Sequence, residues 1–214
     1  MVEELFTEEE IKEEICRVMS RLYRRGLISA VGGNVSAKIP GSREFWITPS
    51  GIFKGELTVD DLVKVDLDGN VVEGFLKPSV ETPLHRAVYR KRLDVNAVVH
   101  AHNPVATGLA LAGISIEPIT VEAVVTLRRV PIVPFVYPGT EDLAEAVAEH
   151  IAGVRALILQ NHGVLGVGFN LVEAETVVET LEEVATAQWV AYHFGKPRLI
   201  PEKDMELVRK LYGI

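Results

Sequence analysis

The segment over residues 94–102 restricts the fold and chemistry of this chain more than any other. It reads Asp-Val-Asn-Ala-Val-Val-His-Ala-His, an apolar strand that ends in two histidines separated by one residue. Side chains alternate along a strand, so His100 and His102 point to the same face with Cα atoms about 6.5–7 Å apart. Two imidazoles at that separation can converge on one metal ion. The rest of the chain must supply a third ligand, a base and a substrate anchor.

Charge and composition exclude several kinds of protein. The 214 residues carry a net charge of −8, whereas nucleic-acid-binding domains have a basic stripe or a high pI. The apolar stretches are interrupted by glycine and are too short to span a bilayer. The single cysteine, Cys16, excludes an internal disulfide framework and favours a cytoplasmic setting. The acidic N-terminus, with Glu3 and Glu4, is unlike a targeting peptide.

Hydrophobic periodicity and capping residues predict an alternation of helices and strands. Helices are predicted over 7–25, 82–92, 104–112, 121–127, 140–150, 171–194 and 201–212. Strands are predicted over 35–39, 45–47, 94–102, 132–136, 155–160 and 164–167, with a hairpin within 62–72. Thr82 is the expected N-cap of its helix, and the apolar run 155–160 predicts a central strand. With no repeat or linker, we expect a single domain over 1–214.

Two glycine-containing loops each allow two interpretations. Gly32-Gly33-Asn34 precedes a predicted strand, and Thr48-Pro49-Ser50-Gly51 follows the next one. Each is either an ordinary turn or a nest of backbone N–H groups that binds an anion. Because the two strands form a hairpin, the loops can lie side by side.

Glu81 and His162 are the remaining candidates for chemistry. Glu81 stands just before a predicted helix, where a carboxylate can simply be favoured by the helix dipole. His162 lies in Asn-His-Gly directly after the buried strand 155–160, where it is either a turn residue or a third ligand.

Taken together, the three histidines have the composition of an open catalytic zinc site. Such sites use three protein ligands and keep a fourth position free, whereas structural sites usually close with cysteine. With neutral ligands the ion keeps its full charge and can act as a Lewis acid on a carbonyl. Glu81 is then the candidate base, because a carboxylate near the metal can take a proton from the activated carbon.

Five motifs resemble the class II aldolase/adducin head family in both order and spacing. They are Gly-Gly-Asn-Val-Ser (32–36), Ile-Thr-Pro-Ser-Gly (47–51), Pro-Ser-Val-Glu-Thr-Pro-Leu-His (78–85), Val-Val-His-Ala-His (98–102) and Gln-Asn-His-Gly (160–163). The resemblance covers nearly the whole chain. It implies a three-layer α/β/α fold around a central, largely antiparallel sheet, and a homotetramer with active sites at subunit interfaces.

The resemblance also implies a role for individual residues. His100, His102 and His162 would bind Zn²⁺, and Glu81 would be the acid/base. A substrate phosphate would be held by Asn34, Ser50, Gly51 and Ser79. Tyr212, in the terminal Lys-Leu-Tyr-Gly, would handle the aldehyde end of the substrate.

This chain departs from the family pattern at two positions. Val80 replaces the second serine before the glutamate, which removes one phosphate hydroxyl, and Glu122 stands where a tyrosine from a neighbouring subunit is expected. A hydrogen bond to a charged group contributes about 1.5–3 kcal/mol, so the Val80 departure bears on phosphate affinity.

The function implied is Zn²⁺-dependent cleavage of a ketose 1-phosphate into dihydroxyacetone phosphate and an aldehyde. One alternative is a sugar-phosphate dehydratase of the same family, of the methylthioribulose-1-phosphate type. Another is a non-catalytic binding module like the adducin head, which would lack the histidines. His85 and His193 are expected to be structural rather than ligands.

Overall fold

The computed structural model describes residues 7–214 and contains one mixed sheet of eight strands. Its spatial order is β4-β3-β2-β1-β5-β8-β7-β6, and only β6 and β7 pair in parallel. The acidic start with Glu3 and Glu4 lies outside the described residues. The strands are β1 (Asn34–Ala37), β2 (Glu44–Ile47), β3 (Val63–Asp66), β4 (Val71–Glu73), β5 (Ala97–Ala101), β6 (Ile132–Val133), β7 (Ala156–Leu159) and β8 (Gly163–Gly168).

The helices follow the predicted pattern closely. Thr7 and Glu10 form the capping box that begins α1, and the side chain of Asn170 accepts a hydrogen bond from the backbone N–H of Glu173 at the start of α5. The helix predicted over 121–127 is present and includes a π-helical turn, Ala123–Leu127. The helices are α1 (Glu8–Arg24), α2 (Thr82–Lys91), α3 (Pro104–Leu111), α4 (Glu141–His150), α5 (Leu171–Phe194) and α6 (Glu202–Leu211).

Helices cover both faces of the sheet and create two apolar cores. Residues of α1, α3 and α5 pack on one face, and residues of α2 and α4 pack on the other. Strand β5 is buried on both sides: Val99 joins the first core and Val98 the second. The three-layer α/β/α arrangement with a largely antiparallel sheet is therefore confirmed.

The start of α2 differs from the prediction. Glu81, not Thr82, occupies the N-cap position, and Thr82 is the first helical residue. The hydroxyl of Thr82 donates a hydrogen bond to the carbonyl of Ser79 at 2.6 Å instead of accepting one from the helix. The helix therefore begins one residue earlier, which leaves the Glu81 side chain free to point away from the helix end.

Two strand predictions near the sheet edge were wrong in extent or position. The run 155–160 forms β7, which lies next to the edge strand β6 rather than at the centre of the sheet. The strand is apolar throughout because both of its faces are buried in the two cores. The predicted strand 132–136 is limited to Ile132–Val133, and Pro134 follows directly. Proline has no N–H to donate, so the ladder ends there.

Over residues 7–214, no helix has both the length and the apolar character needed to cross a membrane.

Glycine in β8 lets α5 approach the sheet closely. A Cβ atom added at Gly166 would lie 2.6 Å from Cγ2 of Val178 and 2.7 Å from the carbonyl oxygen of Ala174. Both contacts belong to α5, so a side chain there would push the longest helix away from the strand that borders β5.

We expect Gly166→Ala to destabilise the fold by about 1–3 kcal/mol, the usual cost of overpacking a core. Gly108→Ala is the matched control, because no atom lies within 4 Å of its added Cβ on α3. It should stabilise the helix by roughly 0.5–1 kcal/mol. Equilibrium denaturation measures both, and equal effects of the two substitutions would contradict the close-approach argument.

Candidate metal centre and active site

His100 is placed by the pairing of β5 with both of its neighbours. It lies opposite Asn34 of β1 and Leu165 of β8, and its side chain is fully buried. Its Nδ1 lies 2.9 Å from the carbonyl oxygen of Val164, and because a carbonyl can only accept, Nδ1 carries the proton. The Nε2 atom of His100 is therefore left with a free lone pair.

The other two histidines reach the same point from neighbouring segments. His102 directly follows β5 and its backbone N–H donates to the carbonyl of Leu27 at 2.7 Å. His162 lies in the tight turn between β7 and β8, where Asn161 has a φ of 62°. Asparagine tolerates this left-handed conformation better than most residues, which explains the Asn before the histidine.

The three imidazoles converge as the sequence predicted they could. One nitrogen of each of His100, His102 and His162 lies within 4.8 Å of the others, so the cluster could hold a metal ion. Burial, and then the nearby His100, lower the pKa values of His102 and His162 to about 4. Both rings are therefore neutral at pH 7, the form in which histidine binds a metal.

Glu81 faces this cluster from the start of α2. Its Oε2 lies 3.1 Å from Nε2 of His100, and its Oε1 lies 3.3 Å from Nε2 of His162. Burial by itself opposes the charged carboxylate, but the two histidines and the amide of Asn34 hold the pKa of Glu81 well below its usual range. For His100, burial opposes its charge, whereas Glu81 raises its pKa.

The contact between Glu81 and His100 suits a bound cation. With the proton of His100 on Nδ1, its Nε2 and the Glu81 oxygen present lone pairs to each other at 3.1 Å. Within residues 7–214, Nε2 of His100 and Oε1 of Glu81 are both buried without a hydrogen-bond partner. Such an arrangement needs either a proton or a positive ion between the groups, and the donor set fits a divalent metal.

Glycine allows the backbone to lie against the histidines. A Cβ added at Gly32 would lie 2.7 Å from Cε1 of His102, and one added at Gly163 would lie 3.1 Å from Cδ2 of His102 and 3.2 Å from Cε1 of His100. The N–H of Gly32 donates to the hydroxyl of Ser29. The Gly32-Gly33 pair thus serves close packing, and the N–H of Gly32 is committed within the loop.

The two segments predicted to hold a phosphate are joined by backbone hydrogen bonds. The N–H of Ser50 donates to the carbonyl of Lys77 at 2.9 Å, and the N–H of Ser79 donates to the carbonyl of Thr48 at 3.2 Å. The hydroxyl of Ser79 accepts the backbone N–H of Glu81 at 3.2 Å. Ser50, Gly51 and Ser79 therefore lie on paired segments that lead to Glu81.

Asn34 is oriented toward the carboxylate. Its Nδ2 donates to Oε2 of Glu81 at 2.8 Å, and its Oδ1 accepts from Nε2 of His85. The amide predicted for phosphate binding thus has both polar atoms engaged beside Glu81. His85 contacts Asn34 and Ser36 and lies outside the metal-ligand cluster, in keeping with a structural role.

Tyr212 is not brought to this cluster within the chain. It lies at the end of α6, is 60% exposed, and over residues 7–214 its side chain makes no hydrogen bond to the histidines or Glu81. Val80, next to the predicted phosphate residue Ser79, is 59% exposed, and Glu122 is exposed before the π-helical turn.

Sequence reasoning missed the role of Lys54. It is 2% exposed, and its Nζ donates to the carbonyl of Pro49 within the predicted phosphate loop. Burial lowers the pKa of Lys54 to about 8. A lysine in Phe-Lys-Gly-Glu looks like an ordinary surface residue, and only the folded loop shows that it anchors this turn from inside.

Comparison with known proteins settles the family. Residues 13–189 match the family model described as Class II Aldolase and Adducin N-terminal domain. The chain belongs to the class II aldolase and adducin family. A 5-deoxy-D-ribulose 1-phosphate aldolase of Bacillus thuringiensis serovar kurstaki is 36% identical over 94% of this chain and 95% of its own length.

Two further members of the class II aldolase and adducin family show the range of named activities. A 3-oxo-tetronate 4-phosphate decarboxylase of Escherichia coli K12 is 37% identical over 83% of this chain and 85% of its own. A solved structure of L-fuculose 1-phosphate aldolase superposes with a TM-score of 0.90 at 33% identity, covering 98% of this chain and 99% of its own. The expected family is thus confirmed.

We expect His162→Gln to weaken zinc binding by more than about 100-fold, because a direct ligand is lost. Loss of a residue that only orients a metal ligand costs roughly 10–100-fold. The matched control is His193→Gln, since His193 lies on the exposed side of α5. Competition with a chelator measures the affinity of each variant. Equal zinc affinities in the two variants would exclude His162 as a ligand.

Proposed function

We propose that the protein is a Zn²⁺-dependent aldolase that reversibly cleaves a ketose 1-phosphate, such as L-fuculose 1-phosphate, to dihydroxyacetone phosphate and an aldehyde. The observation that carries the proposal is the buried Glu81 carboxylate, 3.1 and 3.3 Å from two of three converging histidines. Relatives named as ketose-phosphate aldolases support the reaction type.

His100, His102 and His162 would hold the zinc ion, which when bound supplies a positive charge that stabilises negative charge on the substrate oxygens. Glu81 would hold and move the proton. When the carbon–carbon bond breaks, the dihydroxyacetone phosphate half needs a proton at the carbon that has lost the aldehyde. The ionised Glu81 would accept the proton that the hydroxyl group of the departing aldehyde half loses, and would deliver it to that carbon. In the synthetic direction both transfers would run in reverse.

The phosphate would bind next to this base. Ser50, Gly51 and Ser79 lie on the paired segments that lead to Glu81. The hydroxyls of Ser50 and Ser79 and the backbone N–H of Gly51 would bind the phosphate, because the N–H groups of the two serines already donate to carbonyls. Asn34, at the inner end, would contribute mainly through Glu81 because its side chain is already engaged there.

Tyr212 would act at the aldehyde end from the exposed C-terminal segment. Within one chain, over residues 7–214, the Tyr212 side chain makes no hydrogen bond to Glu81 or the histidines. Its role would therefore require a neighbouring subunit, as expected for a homotetramer with active sites at its subunit interfaces. We further propose that the enzyme works in the cytoplasm.

A decarboxylase is the second candidate, favoured by the relative of that name. Loss of carbon dioxide from a 3-oxo acid and cleavage of an aldol both leave negative charge on a carbon beside a carbonyl group. The same cation and the same acid could serve both reactions. A sugar-phosphate dehydratase would use the same groups to assist loss of water.

We expect the zinc-loaded protein to cleave at least one member of a panel of ketose 1-phosphates, with dihydroxyacetone phosphate among the products. A 3-oxo-tetronate 4-phosphate and methylthioribulose 1-phosphate are assayed beside this panel as substrates for the alternative reactions. Product masses separate aldol cleavage, loss of carbon dioxide and loss of water. Turnover confined to either of the last two substrates would overturn the aldolase assignment.

Glu81→Gln should abolish most turnover, because general acid–base catalysis contributes about 10²–10⁴-fold and the amide cannot carry the proton. Zinc content should be retained, since the three histidines are untouched. Steady-state kinetics of the zinc-loaded variant measure the loss. Full activity in this variant would show that Glu81 is not the base.

Ser79→Ala should raise KM for the phosphorylated substrate by about tenfold or more, because a hydrogen bond to a charged group is worth roughly 1.5–3 kcal/mol. Val80→Ser is the informative partner, since it adds a hydroxyl at an exposed position and should lower KM. If neither change alters KM, these segments do not bind the phosphate.

A further inference from the structure

A row of buried polar side chains runs inward from Glu81 between α2 and β1. Oη of Tyr89 lies 2.7 Å from Oγ of Ser36, which lies 2.6 Å from Nδ1 of His85. His85 contacts Asn34 through Nε2, and Asn34 contacts Glu81 at 2.8 Å. Each of the five side chains is at most 5% exposed, so water does not compete for these hydrogen bonds.

The row depends on a match between two periodicities. Glu81, His85 and Tyr89 are spaced by four residues on or next to α2, and Asn34 and Ser36 are spaced by two on β1. Four helical residues advance about 6 Å and two strand residues about 6.6 Å. Helix and strand residues can therefore alternate along one line.

The ionised carboxylate sets the direction of every hydrogen bond. Glu81 can only accept, so Asn34 must present its N–H to the carboxylate and its carbonyl to His85. His85 must then carry its proton on Nε2, which leaves Nδ1 to accept from the hydroxyl of Ser36. Burial lowers the pKa of His85 to about 3, in keeping with a ring that carries one proton.

Packing alone does not account for this row. Buried polar groups must all be hydrogen-bonded, and apolar residues of similar shape can replace a paired set at little cost in stability. The phenol ring of Tyr89 packs on Phe45 as an apolar residue would, with ring centroids 5.1 Å apart. The polar atoms of the row have a distinct consequence, which is one fixed orientation of the Asn34 amide.

We propose that His85 and Ser36, supported by Tyr89, are positioning residues that fix the amide of Asn34 and through it hold the Glu81 carboxylate in its working orientation. The proposal rests on the proposed function, in which Glu81 moves the proton. Without the hydroxyl of Ser36, the proton of His85 is free to move to Nδ1. The Asn34 amide can then reverse and present its carbonyl oxygen to Glu81.

Ser36→Ala tests this coupling with loss of a single buried hydroxyl. It should lower kcat by about tenfold or more, because reversal of the Asn34 amide would remove its hydrogen bond to the charged Glu81, with KM and zinc affinity unchanged. Thr180→Val is the matched control, since it removes a buried hydroxyl from α5, on the opposite face of the sheet. It should leave kcat unchanged.

Tyr89→Phe should have a smaller effect than Ser36→Ala, because Ser36 still donates to His85 without the phenol. If Ser36→Ala and Thr180→Val have the same kcat, the proposal is overturned. A merely structural role would move stability or zinc content without this graded loss of kcat.

Neutron diffraction from crystals of the zinc-loaded wild-type protein tests the arrangement independently of any variant. Hydrogen should be seen on Nε2 of His85 and on the Asn34 nitrogen that faces Glu81, and none on Nδ1 of His85. A proton on Nδ1 would overturn the proposal even if Ser36→Ala failed to fold. Absence of turnover in the wild-type protein would instead refute the proposed function.

Discussion

Strand β5 is paired along its length with β1 on one side and β8 on the other, and the candidate site is arranged around its end. Pairing with β1 brings Asn34 opposite His100, and pairing with β8 brings the carbonyl of Val164 onto the ring of His100. The turn that precedes β8 carries His162. A shift of one residue in either register would turn these side chains to the other face.

The same strand end concentrates unfavourable electrostatics that a ligand can relieve. Over residues 7–214, Nε2 of His100 and Oε1 of Glu81 are buried without a hydrogen-bond partner, and the pKa values of His102 and His162 are lowered to about 4. Isolated buried charges and unpaired polar atoms are costly, and pairing or metal coordination is the usual remedy. The geometry therefore favours a divalent cation, whose charge would serve the chemistry proposed here.

The two reactions proposed for this protein create similar charge. Cleavage of an aldol and loss of carbon dioxide differ in the group that departs, not in the negative carbon that remains. Selectivity is therefore expected at the margins of the site. Within one chain those margins are the exposed Val80 and the loop that Lys54 anchors from within.

The sequence by itself determined the helices, the family and the identity of the converging histidines. These features could be predicted because capping residues, apolar periodicity and a His-x-His strand end are recognisable within a few consecutive residues of the sequence. It did not determine that Glu81 is itself the N-cap, or that the apolar strand β7 lies beside the sheet edge.

Only the tertiary structure decided which polar groups meet. Asn34 and Ser36 on β1 are more than forty residues away in sequence from their hydrogen-bond partners on or next to α2. No local sequence signal shows that residues two apart on this strand will meet residues four apart on that helix. Packing of α2 against β1 creates that match. Orientation of the Asn34 amide depends on hydrogen bonds between these distant segments, so it exists only in the folded protein.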